Sequence, residues 1–202
     1  VGETTPMTPG VTGSRRGDAT RARILDAATE LIYANSIRGI SADRIIEQAG
    51  ITKVTFYRHF KTKTDLVVAY LERQAAGERE ALTTARSQSD PAHALENIAE
   101  IIGSASCMPG FRGCPFINAA AEIADPDDPV RVVVDAHRTW TLELFTAIAT
   151  DAGASDPDTI AGQLMMLRDG AMVNGYLSDP EEIAGRLRVA YAAVIGATRT
   201  PN

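Results

Sequence analysis

Apolar residues along this chain return at steps of three and four, the spacing of a helical face, and no segment alternates every second residue as a half-buried strand does. Ile24, Leu25, Ala28, Leu31 and Ile32 share one face of a helix that starts near Asp18 or Thr20 and stops around residues 35–39. Ser41 suits the cap of a short second helix carrying Ile45, Ile46 and Ala49, and Gly50 ends it because glycine accepts a left-handed backbone. The hydroxyl of Thr52 can cap a third helix ending near His59. Helix, short glycine-containing turn, helix is the spacing of a helix-turn-helix. Thr62 or Thr64 caps a long fourth helix, and further helical stretches follow: an apolar one through Ile102, "FINAAAEIA" after Pro115, "VRVVVDAHRTWTLELFTAIATDAG", and two closing helices near residues 159–177 and 180–197. The fold expected is all-α, with a three-helix N-terminal helix-turn-helix followed by a larger helical domain. Residues 1–17, rich in Gly, Pro, Thr and Ser, read as a flexible arm, with domains at 18–65 and 66–202.

Composition narrows the class. The chain has 202 residues, 45% of them hydrophobic, and a mean hydropathy of -0.08, which suits a protein with a real core. No apolar run reaches the ~18 residues of a membrane span, and the start lacks a basic-then-apolar export signal, so the expected location is the cytoplasm, with no membrane partner. Cys107 and Cys114 are seven apart without a second pair, which gives neither a disulfide framework nor a zinc site. No cofactor or metal is expected.

Charge is uneven. Residues 14–65 hold ten Lys or Arg against six Asp or Glu, a balance of +4, whereas residues 66–202 hold ten against nineteen, a balance of -9. The stretch Gly50 to Leu66, "GITKVTFYRHFKTKTDL", concentrates this excess, with four cations and three aromatics. Ile51, Phe56 and Phe60 return at steps of five and four and suit the buried face of a recognition helix. Thr52, Lys53, Val54, Thr55 and Tyr57 fall on or beside its outward side. Short hydroxyls and methyl groups fit a major groove that displays thymine methyls and base acceptors. Tyr57, His59, Lys61 and Lys63 suit phosphates, which give affinity and register without reading sequence. The alternative from pattern alone is a solvated basic turn in a helical bundle.

Residues 24–66 resemble the DNA-binding domain of the TetR family of transcriptional regulators. The resemblance is carried by Ile24, Leu25, Ala27, Ala28, Ala49, Gly50, Ile51, Thr52, Tyr57, Phe60, Lys63, Asp65 and Leu66. It implies that Thr52, Lys53, Thr55 and Tyr57 contact bases or phosphates, that His59 and Lys63 hold phosphates, and that Ser41 and Arg44 touch the DNA backbone. Val54 stands where the family often has Gly or Ala, and Ile46 where a small Ala is usual, so the operator sequence does not transfer. "RGCPFINAAAE" is similar to a segment of one subgroup. The family couples its reading domain to a larger helical domain that binds a small effector and forms a dimer. The resemblance therefore implies a homodimer on double-stranded operator DNA, read as a repressor released by a small molecule, and not an enzyme.

The larger part offers candidates for the effector. A pocket needs apolar walls and a few polar groups. Met108, Phe111, Phe116, Asn118, His137, Trp140, Leu144, Met165 and Asp169 are candidates, and His137, Trp140 and Leu144 share a helical face. The alternative is that they are core, with Asp169 paired to Arg168 or to a partner subunit. Cys114, at the expected start of a helix, is either a thiol sensor or a small buried residue. Paired with His137 it would be a nucleophile with a base, but no nucleophile elbow or metal motif accompanies it. Apolar stripes on the last two helices, Ile160, Leu164 and Leu167 with Ile183, Leu187, Tyr191 and Ile195, are candidates for the four-helix dimer interface that the resemblance implies.

Overall fold

Three helices of this chain begin with an aspartate followed by proline. Asp90 accepts from the backbone N–H groups of Ala92 and His93, Asp128 from Val130, and Asp156 from Thr159, while Pro91, Pro129 and Pro157 occupy the first turn, where an N–H would have no partner. The structure, a computed structural model, describes residues 11–87 and 90–197. Its helices are α1 (Val11–Asn35), α2 (Ala42–Gln48), α3 (Lys53–His59), α4 (Lys63–Ser87), α5 (Pro91–Ser106), α6 (Pro115–Glu122), α7 (Pro129–Asp151), α8 (Pro157–Leu177) and α9 (Ile183–Gly196), with a 3-10 turn at Pro180–Glu182. The described residues contain no strand. No helix among them is long and apolar enough to cross a membrane.

Helix α1 starts at Val11, about two turns before the expected start at Asp18 or Thr20. None of residues 16–23 is buried, so no apolar periodicity marks these turns. They extend a helix already nucleated further on, and extension needs only one hydrogen bond per added residue. The rest of the expected arm, residues 1–10, lies outside the described residues.

The chain divides into two compact units, Val1–Leu66 and Val67–Asn202. In the first, Ile24, Leu25, Ala28 and Ile32 of α1 meet Ile45 and Ala49 of α2, Phe56 and Phe60 of α3, and Leu66, all buried. The α4 start is closed by a reciprocal cap: the Asp65 N–H donates to Thr62 Oγ1, and the Thr62 N–H donates to the Asp65 carboxylate, each at 3.0 Å.

In the second unit α5 packs on α9, and α8 packs on both α7 and α9. Two close approaches depend on missing side chains. A Cβ on Gly103 would stand 2.5 Å from that of Ala184, and one on Gly175 would stand 2.3 Å from Ser106 Oγ. The core of this unit includes Leu95, Ile98, Phe145, Ile148, Leu164, Ile183, Leu187 and Tyr191. Four residues expected at a dimer interface, Leu164, Ile183, Leu187 and Tyr191, are therefore interior to the subunit. The reason is that α8 and α9 turn their strongest apolar stripes on their own neighbours. Ile160, Leu167 and Ile195 are half-buried. What α8 and α9 leave exposed is Met166 (68%), Leu177 (70%) and Val189 (70%), with Val173 and Tyr176.

A Gly103→Val chain is expected to melt lower, by roughly 1–3 kcal/mol of overpacking against Ala184. Gly77→Ala, at an exposed α4 position with open space around it, is expected to melt higher, by about 0.5–1 kcal/mol of helix propensity. Thermal unfolding followed by circular dichroism measures both.

Candidate functional site

The reading head is built from its turn outward. Gly50 has φ +59°, the left-handed conformation that ends α2. The N–H of Ala49 donates to Ile45 O, and that of Gly50 to Glu47 O, so the turn holds itself. Thr52 Oγ1 then accepts from the Thr55 N–H at 3.2 Å and opens α3. Phe56 is fully buried, edge-on to Tyr57 with ring centroids 5.2 Å apart, and Phe60 lies 6.2 Å from Phe56. Arg21 covers the Phe60 ring. Ile51 is half-buried. With Phe56 and Phe60 fixed inward, Thr52, Lys53, Val54, Tyr57 and Arg58 face solvent, and Val54 is 79% exposed.

Each expected contact residue has a defined place. Ser41 caps α2 by accepting from the Arg44 N–H. Arg44 is paired with Glu47 at 2.7 Å and Lys53 with Asp43 at 3.0 Å. The hydrogen bond to Asp43 and its charge raise the Lys53 ammonium above its ordinary value. Both pairs are solvent-exposed and so weak enough to exchange for phosphates. Thr55, half-buried, shares a hydroxyl contact of 2.9 Å with Thr52. His59 is half-buried, and its Nε2 has no hydrogen-bond partner.

Lys63 corrects the sequence reading. Its ammonium donates to the carbonyl oxygens of Ile37, at 2.6 Å, and Ile40, so it pins the α1–α2 connection instead of standing free for a phosphate. Carbonyls crowded at that bend need donors that the backbone does not supply. Arg58, which the sequence reading left without a role, is exposed in the last turn of α3.

The second unit holds an interior chain of charge. Arg168 on α8 is almost fully buried; its Nη2 donates to Glu78 of α4 and its Nη1 to Asp169 Oδ1 at 3.0 Å. Arg138 of α7 holds the other Asp169 oxygen at 2.7 Å. His137 Nε2 is 3.3 Å from Glu78 Oε2, and the imidazole stacks on Phe116 with centroids 3.8 Å apart. Burial alone would push the Glu78 carboxyl up, but His137 and Arg168 beside it hold it down to about 2. Burial likewise opposes charge on Arg168, and Glu78 outweighs it, so the guanidinium is raised above its ordinary value. Cys114, buried at the start of α6, has its sulfur 3.9 Å from Arg168 Nη1.

Of the residues proposed for an effector, Phe116, His137, Trp140 and Asp169 meet at this chain, with Arg79 stacked over Trp140. Leu144 and Met165 are buried. Met108, Phe111 and Asn118 are not brought there. Met108 is exposed, Phe111 lies beside Gly175 and Ser106, and the Asn118 amide, itself exposed, donates to Arg112 O at 2.9 Å. Those three belong to the loop before α6 or its first turn, where the Asn118 amide ties the helix to Arg112. The sequence reading missed Glu78, Arg79 and Arg138 and gave Arg168 only a pairing role. A signal for two of them was present. Glu78 interrupts the buried stripe Leu71, Ala75, Leu82, Ala85, and Arg168 interrupts Ala161, Leu164, Met172, Gly175. Among the described residues no three of His, Cys, Asp and Glu group as metal ligands.

Comparison with known proteins agrees with this geometry. Residues 24–70 match a family model described as bacterial regulatory proteins, tetR family. The chain is similar to the crystal structure of a TetR-family transcriptional regulator from Streptomyces coelicolor, with a TM-score of 0.86 and 39% identity over 90% of this chain and 96% of that one. It is 29% identical over 151 residues to the transcriptional activator FasR of Mycolicibacterium smegmatis, spanning 70% of this chain and 66% of that relative. It is 24% identical over 130 residues to the transcriptional repressor NemR of Escherichia coli, spanning 63% of this chain and 65% of that one.

The depressed Glu78 carboxyl sets a pH dependence. A carboxylate favoured in the folded state contributes fully above its ordinary 4.5 and loses that contribution as pH falls toward about 2. Glu78→Gln is expected to lower stability near neutral pH by roughly 3 kcal/mol, since it removes one of the two carboxylates that hold the buried Arg168 and leaves Asp169 alone. It is also expected to flatten the loss of stability between about pH 5 and 2 relative to the parent chain, measured by calorimetry.

Proposed function

This chain belongs to the TetR family of transcriptional regulators, which bind DNA and are not enzymes, and on that premise we propose that it acts as a homodimeric repressor released from its operator by a small molecule. The observation that carries the reading is α3: its two phenylalanines are locked inward while Lys53, Val54, Tyr57 and Arg58 are presented to solvent. The Val54 methyls suit a thymine methyl, and Lys53, Tyr57 and Arg58 suit phosphates.

A seven-residue helix reads only a few base pairs, so specificity calls for two copies. Met166 and Leu177 of α8 with Val189 of α9 are the apolar surface a second subunit would cover. Two-fold symmetry would set the two copies of α3 in successive major grooves, about 34 Å apart, on a pseudo-palindromic site. The effector reading rests on the buried polar chain, a costly feature that bulk stability does not require. A ligand would act through whatever difference in affinity it has for the DNA-competent and incompetent states.

The likeness to FasR favours a second reading, activation, in which the same binding event raises transcription. A reporter on the regulated promoter separates the two: deletion of the regulator raises output for a repressor and lowers it for an activator.

In a gel shift on the DNA upstream of its own gene, Tyr57→Ala is expected to weaken binding at least about tenfold. Lys53→Ala is expected to weaken it across all sequences and to reduce the slope of log affinity against log salt by about 1. Unchanged affinity for Tyr57→Ala at moderate salt would remove α3 as the reading helix. Met166→Glu with Leu177→Glu is expected to give a folded monomer in sedimentation equilibrium, with operator binding lost; a dimer of undiminished strength would move the interface elsewhere.

A further inference from the structure

A groove of about 620 Å³ runs between α6, α7 and α8, and it ends on the interior charge chain. Its body is apolar, formed by Ile117, Ala120, Val134 and Val173. Its polar lining is Arg131 with Asp135, Arg138 with Asp169, and Asn174. Asp169 lines the groove and is also the link to the interior, since its two oxygens are taken by Arg138 and Arg168. On the groove side Arg138 thus already holds a carboxylate, the group that a guanidinium matches best.

An unused donor points the same way. Within the groove Arg131 and Arg138 are matched by Asp135 and Asp169. The Nε of Arg131 is nevertheless buried without a hydrogen-bond partner. A buried donor left without an acceptor is costly. An anionic acceptor in the groove relieves that cost.

We infer that this groove binds a small amphipathic carboxylic acid, its hydrocarbon body along Ile117, Ala120, Val134 and Val173 and its carboxylate on Arg131 and Arg138 in competition with Asp169. The inference deepens the ligand-responsive reading and rests on it. Once Arg138 turns to the ligand, Asp169 is left to Arg168 alone and draws it from Glu78. The ligand thereby acts on α4 through residues it does not touch.

The test is isothermal titration of the full chain with sodium octanoate, 1-octanol and octylamine, three probes with one body and different heads. Octanoate is expected to bind at least about tenfold more tightly than octanol, and octylamine not at all. Arg138→Gln is expected to cost octanoate about tenfold while leaving octanol unchanged. Val173→Trp, which fills the groove, is expected to weaken both. Equal affinity for the three heads, octanoate binding indifferent to Arg138→Gln, or no binding of any probe at millimolar concentration would overturn the inference. So would a sedimentation shift caused by Val173→Trp without any octanoate binding, which would assign the groove to a second subunit. A gel shift run on the same parent sample keeps the two readings apart: intact DNA binding without octanoate binding refutes the acid site alone, whereas failure to bind DNA refutes the regulator reading.

Discussion

A helix of seven residues is too short to persist in water, because its few hydrogen bonds do not offset the cost of fixing its first turn. Helix α3 exists because Phe56 and Phe60 are buried. Each fully buried aromatic contributes about 1.5–3 kcal/mol through the apolar area it removes from water. The same two side chains also set the rotation of the helix about its axis. With residues 56 and 60 inward, residues 53, 54 and 57 have no option but to face out. Stability of the reading helix and presentation of its contact residues are thus one constraint. Gly50 and the Thr52 cap fix where that helix begins, and Lys63, bonded to the Ile37 and Ile40 carbonyls, fixes the bend that precedes α2.

The second unit is organised by the opposite expedient. Its interior contains ions where hydrocarbon would be cheaper to bury. Arg138, Asp169, Arg168 and Glu78 are paired in series, so the chain is tolerated, but Arg168 is buried, and removing a carboxylate beside it leaves a poorly solvated charge with one partner fewer. Such a set is sensitive by construction. The ions bridge α7, α8 and α4, so a charge change at any one of these helices is felt by the other two.

Much of this was legible in the sequence, for reasons that differ by element. Ser41, Gly50, Thr52 and Thr62 are local signals, each requiring only its neighbours in the chain, and the structure uses each at the helix end where it was expected. Phe56 and Phe60 were legible because period and hydrophobicity coincide. The early part of α1 was not, because residues 16–23 include no buried side chain to mark a face. The role of Lys63 was not, because its acceptors lie 26 and 23 residues earlier. Leu164, Ile183, Leu187 and Tyr191 were expected at an outer face, yet they lie inside the subunit. An apolar stripe announces that it will be covered and is silent on whether the cover is the same chain or another. Glu78 and Arg168 left the clearest unused trace, a charge set in an otherwise apolar stripe, and a partner for each could have been sought on that ground alone.

Net charge remains the apparent paradox of a DNA-binding chain at -6. Screening resolves it. At physiological ionic strength charges further than about 8 Å from the duplex are largely invisible to it, so the balance of -9 over residues 66–202 matters less than the few groups on α2 and α3. Even there two of the three cations are already paired, Lys53 with Asp43 and Arg44 with Glu47. These exposed pairs are worth little, and a phosphate competes with a carboxylate for the same cation. Binding then frees two carboxylates near a polyanion, an unfavourable term that only a well-matched surface offsets. If α3 reads DNA as proposed, the acids on α2 weaken attraction to arbitrary DNA more than attraction to a site that Val54 and Tyr57 also fit. In that sense they serve discrimination at the expense of affinity.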